Sequence, residues 1–366
     1  MRDITAIGTV TATAYTIPTD SPEADGTLHW DSTTLVVVEV NGGSETGLGY
    51  TYTSGSITSL INSKLAGAVK GVDAMAPPAA WQAMQREVRN LGREGLAANA
   101  ISAVDVALWD LKAKLLGLPL AILLGRYREA VPIYGSGGFT TYSDDQLRSQ
   151  LSGWVERDGC RWVKMKVGSE PEQDPRRAAV AKSAIGDRVE LFVDGNGAYH
   201  TKQALELADI FAAHQDVRWF EEPVSSDDLE GLRYIREHAP ANMEIAAGEY
   251  GYTAGYFRRM LNAGAVDVQQ ADATRCGGIT GFLLAGALCQ AHHIDLSGHC
   301  APALHLHVGC AVPRLRHLEW FHDHVRIEHM LFDGAPIPRD GAIRPDLGRP
   351  GIGLSLKRQD AARYQH

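Results

Sequence analysis

Two lysines, Lys164 and Lys166, sit two residues apart in an apolar run that also holds Val163, Met165 and Val167. On an extended strand both side chains face the same way, with Cα atoms about 6.6 Å apart. Further along, Asp194, Glu221 and Glu249 each close a short apolar segment, and Asp272, His299 and Glu319 close three more. Three carboxylates gathered at one place repel unless a cation lies between them. An all-oxygen donor set suits a hard divalent ion, Mg²⁺ or Mn²⁺, with positions left open for substrate oxygens. Adjacent strand residues point to opposite sides, so one of Glu221 and Glu222 can serve. Glu221 is assigned, with Glu222 as the alternative.

Buried inward lysines are costly unless used. Close to each other and to a cation, each should depress the other's pKa, which predicts a neutral lysine base. Asp272 beside His299 would fix the imidazole tautomer and raise its basicity. Glu319, kept protonated by burial, could donate to a substrate carboxylate. Together these groups suit removal of a proton α to a carboxylate. The cation, Lys164 and Glu319 would stabilise the enediolate, while Lys166 and His299 offer a base on each face of the α-carbon.

The elements that must position these groups follow from their intervals. Eight segments, from 133–136 (ending in Ser136) to 317–320, recur every 20–30 residues or so, the length of one strand, one helix and two loops of a (β/α)8 barrel. Helical stretches are predicted at 144–157, 175–185, 202–214, 227–237, 251–263 and 278–292. Before the barrel, β-branched runs at 4–15 and 34–40 read as an antiparallel pair joined by a polar loop. Helical patterns follow at 57–70, 78–88 and 99–116. After Phe321, segments rich in Pro, Gly and Asp lead to a strand-like 353–357.

The chain has 366 residues, 45% of them apolar, and a net charge of −9. That balance argues against nucleic acid or an anionic membrane as partner and leaves a small-molecule carboxylate substrate. Five cysteines without a metal spacing read as buried thiols in a reducing cytoplasm. The opening, Met1 to Ile4, leads straight into a strand pattern without a basic-then-apolar leader, and no apolar run reaches membrane length.

The chain resembles the enolase superfamily, specifically its mandelate racemase subgroup. The resemblance rests on Lys164-Met165-Lys166, Asp194-Gly195-Asn196, Glu221-Glu222-Pro223, Gly248-Glu249, Asp272 followed by Arg275-Cys276-Gly277-Gly278, His299 and Glu319, with 103–112 similar to the helix leading into the barrel. It implies an α/β fold, a modified TIM barrel (β/α)7β under an α+β capping domain. The divisions would be a cap at 1–127 with a specificity loop at 18–31, a barrel at 128–325, and a segment at 326–366 returning to the cap. It also implies Mg²⁺ on Asp194, Glu221 and Glu249, Lys166 as one base and His299 with Asp272 as the other. Lys164 and Glu319 would hold the substrate carboxylate, and Asn196 an α-hydroxyl. A homo-oligomer, dimers assembled into octamers, is the implied assembly. Family members often carry Pro where this chain has Ala271.

Two outcomes share the enediolate. Reprotonation on the other face gives a racemase or epimerase; loss of a β-hydroxyl protonated by His299 gives an acid-sugar dehydratase. The polar loop at 19–31, with His29 and Trp30, favours the dehydratase. Ser136 and His322 are further substrate contacts. A silent binding relative should lack one of the chemical groups, and none is missing.

Overall fold

The structure is a computed structural model and describes residues 5–365. Met1 to Ile4, read above as leading directly into a strand, lie outside the described residues. Strands β1 (Ile7–Ala24), β2 (His29–Gly42) and β3 (Glu45–Tyr52) form an antiparallel sheet in sequence order. Its central run, Leu35-Val36-Val37-Val38, is apolar without alternation, which is the mark of a sheet covered on both faces. Val36, Val38 and Val40 pack with the cap helices, whereas Leu35 and Val37 belong to the barrel core together with Tyr50 and Tyr52.

The stretch at 18–31 departs from expectation. It is not an open loop but the far end of the β1–β2 hairpin, with a register shift between Pro18 and Glu23. Asp25 Oδ1 accepts from the backbone N–H groups of Thr27 (2.6 Å) and Leu28 (2.7 Å), closing the tip as an Asx turn. Polar composition concealed the strands because the positions buried at this end include Glu23 and Asp25.

The helix Leu96–Leu115 lies along β3. Gly47 and Gly49 permit this: a Cβ on either would stand 2.0 Å from the Ala107 carbonyl oxygen or 2.2 Å from that of Ala103. Asp105 on this helix is fully buried and accepts from the N–H (2.9 Å) and hydroxyl (2.7 Å) of Thr280, joining cap to barrel. Burial, against these hydrogen bonds, pushes its carboxyl up to about 7. The folded chain therefore keeps a proton that the unfolded chain releases near pH 4, so this group's contribution to stability falls as pH rises from about 4 to 7. Asp105→Asn is expected to flatten that part of the pH–stability profile. Asp105→Ala should cost about 1–3 kcal/mol at pH 6 by urea unfolding, since it strands the Thr280 donors.

Eight parallel strands then close a ring. They are β4 (Val131–Gly137), β5 (Trp162–Lys166), β6 (Glu190–Asp194), β7 (Val217–Glu221), β8 (Glu244–Ala247), β9 (Val268–Ala271), β10 (Asp295–Gly298) and β11 (Leu315–Phe321), with β11 paired back to β4. The ring and its flanking cap sheet make the fold the predicted α/β barrel with an antiparallel cap. Helices run between the strands close to the expected ranges, for example Asp174–Ile185 and Gly278–His292.

The region after Phe321 is a second departure. A helix, His322–Leu331, occupies it before short strands at Ala342–Ile343 and Ser355–Leu356. Asp323, His324 and Glu328 are among its buried positions, so its inner face shows little apolar periodicity. Glu328 accepts from the Tyr50 hydroxyl (2.6 Å) and from Ala303 N–H (3.1 Å), tying β3 to the barrel. The Ile352 N–H donates to Asp110 (2.7 Å) on the Leu96–Leu115 helix, bringing the final segment against the cap.

Candidate active site

The C-terminal ends of the strands gather the chemistry at one mouth. Lys164 Nζ donates to Glu221 Oε1 (2.6 Å) and lies 2.9 Å from Glu319 Oε1 and 3.3 Å from Asp194 Oδ2. Lys166 Nζ donates to Asp194 Oδ2 (2.6 Å). One oxygen each from Asp194, Glu221 and Glu249 lie within 4.8 Å of one another, and all three residues are buried. Glu222, on the other side of the strand end, is buried with φ +38° and an unpartnered Oε1. The grouping thus favours Glu221 over Glu222.

A cavity of about 360 Å³ opens over this cluster, bounded by Lys166, Asn196, Glu249, His299 and Glu319 below and by the cap hairpin above. A larger cavity, about 530 Å³, lies between the helix Pro302–Ala311 and the final segment. It holds none of the clustered carboxylates, so size does not decide which one does chemistry.

His299 Nδ1 bonds Asp272 Oδ2 (2.9 Å), which leaves Nε2 facing Glu249 Oε2 (3.3 Å) and Glu319 Oε2 (3.6 Å). Asp272 is itself held by Thr274 N–H (2.7 Å). Burial works against its charge, but the His299 hydrogen bond and charge hold the Asp272 carboxyl well below the usual carboxylate range. Gly248 makes the turn into Glu249 at φ +135°, where a Cβ would stand 2.1 Å from Gln269 Nε2.

By the carboxylates alone, both lysines are held as ammonium groups. Burial lowers each ammonium's pKa, yet Glu221 and Glu319 around Lys164, and Asp194 beside Lys166, raise both well above the ordinary value; a divalent ion on Asp194 and Glu221 would take up that negative charge and free Lys166 to act as a base. Mutual repulsion is the smaller effect, because neighbouring strands bring carboxylates within hydrogen-bond distance. Glu319 is likewise held charged by its neighbours. Burial favours its neutral form, but Lys164 and then His299 hold it well below the usual carboxylate range. It accepts from Ser136 Oγ (2.6 Å) and Cys300 N–H (3.0 Å).

Three predicted substrate contacts are placed elsewhere. The Ser136 hydroxyl is fully buried beneath Glu319 and does not line the cavity. His29 is exposed on the hairpin, whereas its neighbour Trp30 lines the cavity. His322 Nε2 bonds Asp20 (2.9 Å) on the hairpin, and it is His324, two residues on, that forms cavity wall. Asn196, at φ +47°, keeps its place with an unpartnered Oδ1. Arg275, noted above only within a motif, reaches the cavity and bonds the Glu249 carbonyl oxygen (3.2 Å) and Oε1 (3.3 Å).

The carboxylate cluster fits a hard divalent cation. Its donors are all oxygen, buried and mutually repelling, and Glu249 Oε2 has no well-aligned hydrogen-bond donor. Trp219 Nε1 donates to Glu221 Oε2 (3.0 Å) and fixes that carboxylate from below. Trp219→Phe keeps the ring stacked on Phe192 but removes the donor. It is expected to weaken Mg²⁺ binding by about tenfold, read by titration calorimetry of the metal-stripped protein.

Family models match both parts of the chain: the mandelate racemase/muconate lactonizing enzyme N-terminal domain over residues 8–125, and the enolase C-terminal domain-like model over residues 146–361. The chain belongs to the mandelate racemase/muconate lactonizing enzyme family of the enolase superfamily. A family structure from Rubrobacter xylanophilus, a mandelate racemase/muconate lactonizing enzyme-like protein, superposes with a TM-score of 0.96 at 54% identity, covering 98% of this chain and 99% of that one. The 3,6-anhydro-alpha-L-galactonate cycloisomerase of Streptomyces coelicolor is 32% identical over 353 residues, 93% of this chain and 94% of its own. The L-talarate dehydratase of Polaromonas sp. JS666, solved with Mg and L-glucarate, has a TM-score of 0.89 at 31% identity, covering 98% and 97%. Magnesium is thus the cation of a family member whose fold this chain shares.

Proposed function

We propose that this chain is a Mg²⁺-dependent acid-sugar dehydratase, converting a polyhydroxy carboxylic acid to its 2-keto-3-deoxy product. The observation that carries the reading is the meeting of Lys166, at the end of β5, and His299, just after β10, in one cavity that opens over the three-carboxylate cluster through Glu249. Asp194, Glu221 and Glu249 would hold the metal, which supplies Lewis-acid stabilisation of negative charge gathering on a substrate carboxylate.

The chain's own residues do the rest. Lys164 neutralises charge at the carboxylate, and Ser136 holds Glu319 in place beside it. Lys166 takes the α-proton. The electron pair left behind forms the carbon–carbon double bond as the β-hydroxyl departs, protonated by His299 Nε2 and leaving as water. Asp272 keeps Nδ1 of His299 protonated, so Nε2 is the nitrogen that moves the proton. The enol then tautomerises to the ketone. Trp30 and the hairpin above the site exclude water.

The same two groups could return the proton to the other face, giving epimerisation. Incubation with a panel of acid sugars and Mg²⁺ in deuterated buffer separates the outcomes. Release of 2-keto acid supports the dehydratase, whereas α-deuteration with inversion and without keto acid would replace it by the epimerase.

The assembly and location belong to the same proposal. The five cysteines are all buried and unpaired, in keeping with a reducing cytoplasm, and no described helix is long and apolar enough to cross a membrane. A homo-oligomer, dimers assembled into octamers, is checked by light scattering.

A further inference from the structure

The cavity's charge is uneven from end to end, and that bears on the substrate. Resting on the dehydratase reading, we propose that the substrate carries a single carboxylate. It would be an aldonate-type acid whose far end is an uncharged hydroxymethyl or ether group, not a second carboxylate.

The reacting end takes Lys166, Glu249, His299 and Glu319, with Lys164, Asp194 and Glu221 buried directly beneath. The far wall comes from the cap: Asp25, Leu28, Trp30, Ser32 and Thr33 of the hairpin strands and turn, with Ser54 after β3. Between Arg2 and Lys64 the chain contains no lysine or arginine, so this wall has no cation of its own. It has an acid instead. Asp25 lines the cavity, while Asp20, Glu23 and Asp31 lie elsewhere on the hairpin, and burial, then Asp323, pushes the Glu23 carboxyl up to about 8. Glu23 is fully buried against Trp30 Nε1 (2.7 Å) with its Oε1 unpartnered.

The barrel side does not supply the missing charge. Arg275 is engaged by Glu249 and lies 3.7 Å from Asp272, with its guanidinium over the Tyr250 ring. Arg326, nearest the hairpin, is spent on Asp323 (2.5 Å) and the Pro18 carbonyl (2.7 Å). His324 is a neutral wall. Its Nδ1 accepts from Ala301 N–H (3.2 Å), so the hydrogen sits on Nε2, a donor without charge. Burial, aided by the nearby His299, brings its pKa down to about 3.

A carboxylate is recognised by charge-assisted bonds, best from an arginine fork. Hydroxyls are recognised by neutral donors and acceptors set among apolar surface. The far wall offers the second kind, with Ser32, Thr33, Ser54 and His324 around Trp30 and Leu28. A second carboxylate there would meet Asp25 and no cation that is not already paired with an acid, in a site of lowered dielectric.

The test pairs C6 acids that differ only at the far carbon, gluconate against glucarate and galactonate against galactarate, scored by 2-keto acid release with Mg²⁺. The expected kcat/KM favours the monoacid of the accepted configuration by about 30-fold or more. A diacid equal to or better than the best monoacid would overturn the inference and leave the dehydratase reading intact. No release and no α-proton exchange with any compound would instead sink that reading, and this one with it. Charge is separated from shape in two ways. Leu28→Arg, at an exposed tip position, should raise kcat/KM for the diacid by about tenfold without helping the monoacid. Raising KCl from about 20 to 500 mM should narrow the wild-type gap, since the screening length shortens severalfold. A gap unmoved by both would show that shape excludes the diacid, contrary to the proposal.

Discussion

His299→Asn is expected to lower kcat for 2-keto acid release by about 10³-fold while α-proton exchange with solvent deuterium survives, because positioned acid–base groups contribute about 10²–10⁴ each. The asymmetry follows from the division of labour. Lys166 lies against Asp194 on one wall and His299 against Asp272 and Glu249 on another. Removing the imidazole takes away the proton that the β-hydroxyl needs on leaving, but not the base that removes the α-proton. Lys166→Ala should abolish exchange and dehydration together. Asp272→Asn should resemble His299→Asn in milder form, by about 10²-fold, since the imidazole remains but loses the partner that sets its tautomer. Equal loss of exchange and dehydration in His299→Asn, with Mg²⁺ affinity unchanged, would contradict the assignment.

The second large effect concerns the carboxylates. Asp194→Asn and Glu249→Gln should each weaken Mg²⁺ binding by about 100-fold and remove activity, because a hard cation relies on anionic oxygen. A separate readout is available without turnover. In wild type, Mg²⁺ at 100 times its Kd should stabilise the fold by about 2.7 kcal/mol, seen as a rise in Tm. In either variant that rise should nearly vanish at the same concentration. Metal-free Asp194→Asn should unfold sooner than metal-free wild type, because buried Lys166 loses the carboxylate paired with it, so the Mg²⁺-dependent rise is the quantity to compare. A full Mg²⁺-dependent rise in Tm in both variants would place the ion elsewhere.

Much of the site was legible because the barrel converts sequence interval into position. A polar residue closing each apolar segment must reach the same rim, so Lys164, Asp194, Glu221, Glu249, Asp272, His299 and Glu319 could be grouped before their distances were known. Protonation was not legible in that way. It depends on the 2.6 Å contacts of Lys164 with Glu221 and of Lys166 with Asp194, which come from strand register rather than spacing. The hairpin end and the helix His322–Leu331 were missed for a common reason: their buried positions carry Glu23, Asp323, His324 and Glu328. Polar residues satisfied across the cap–barrel boundary leave no apolar period to read. His322 is likewise two residues from the histidine that lines the cavity, His324, since such an offset at a helix start changes which side chain faces inward.

The antiparallel sheet separates two apolar cores, and the middle of its central strand, Leu35 to Val38, is packed on both faces. Freedom to vary is therefore concentrated at the overhanging hairpin tip, where Asp25 closes the turn by backbone bonds that ask little of its neighbours. Substrate preference in this protein can drift by exchanging a handful of tip residues while the proton-transfer machinery beneath stays as it is. A library centred on Leu28, the exposed tip residue that lines the cavity, is thus the economical place to retune it.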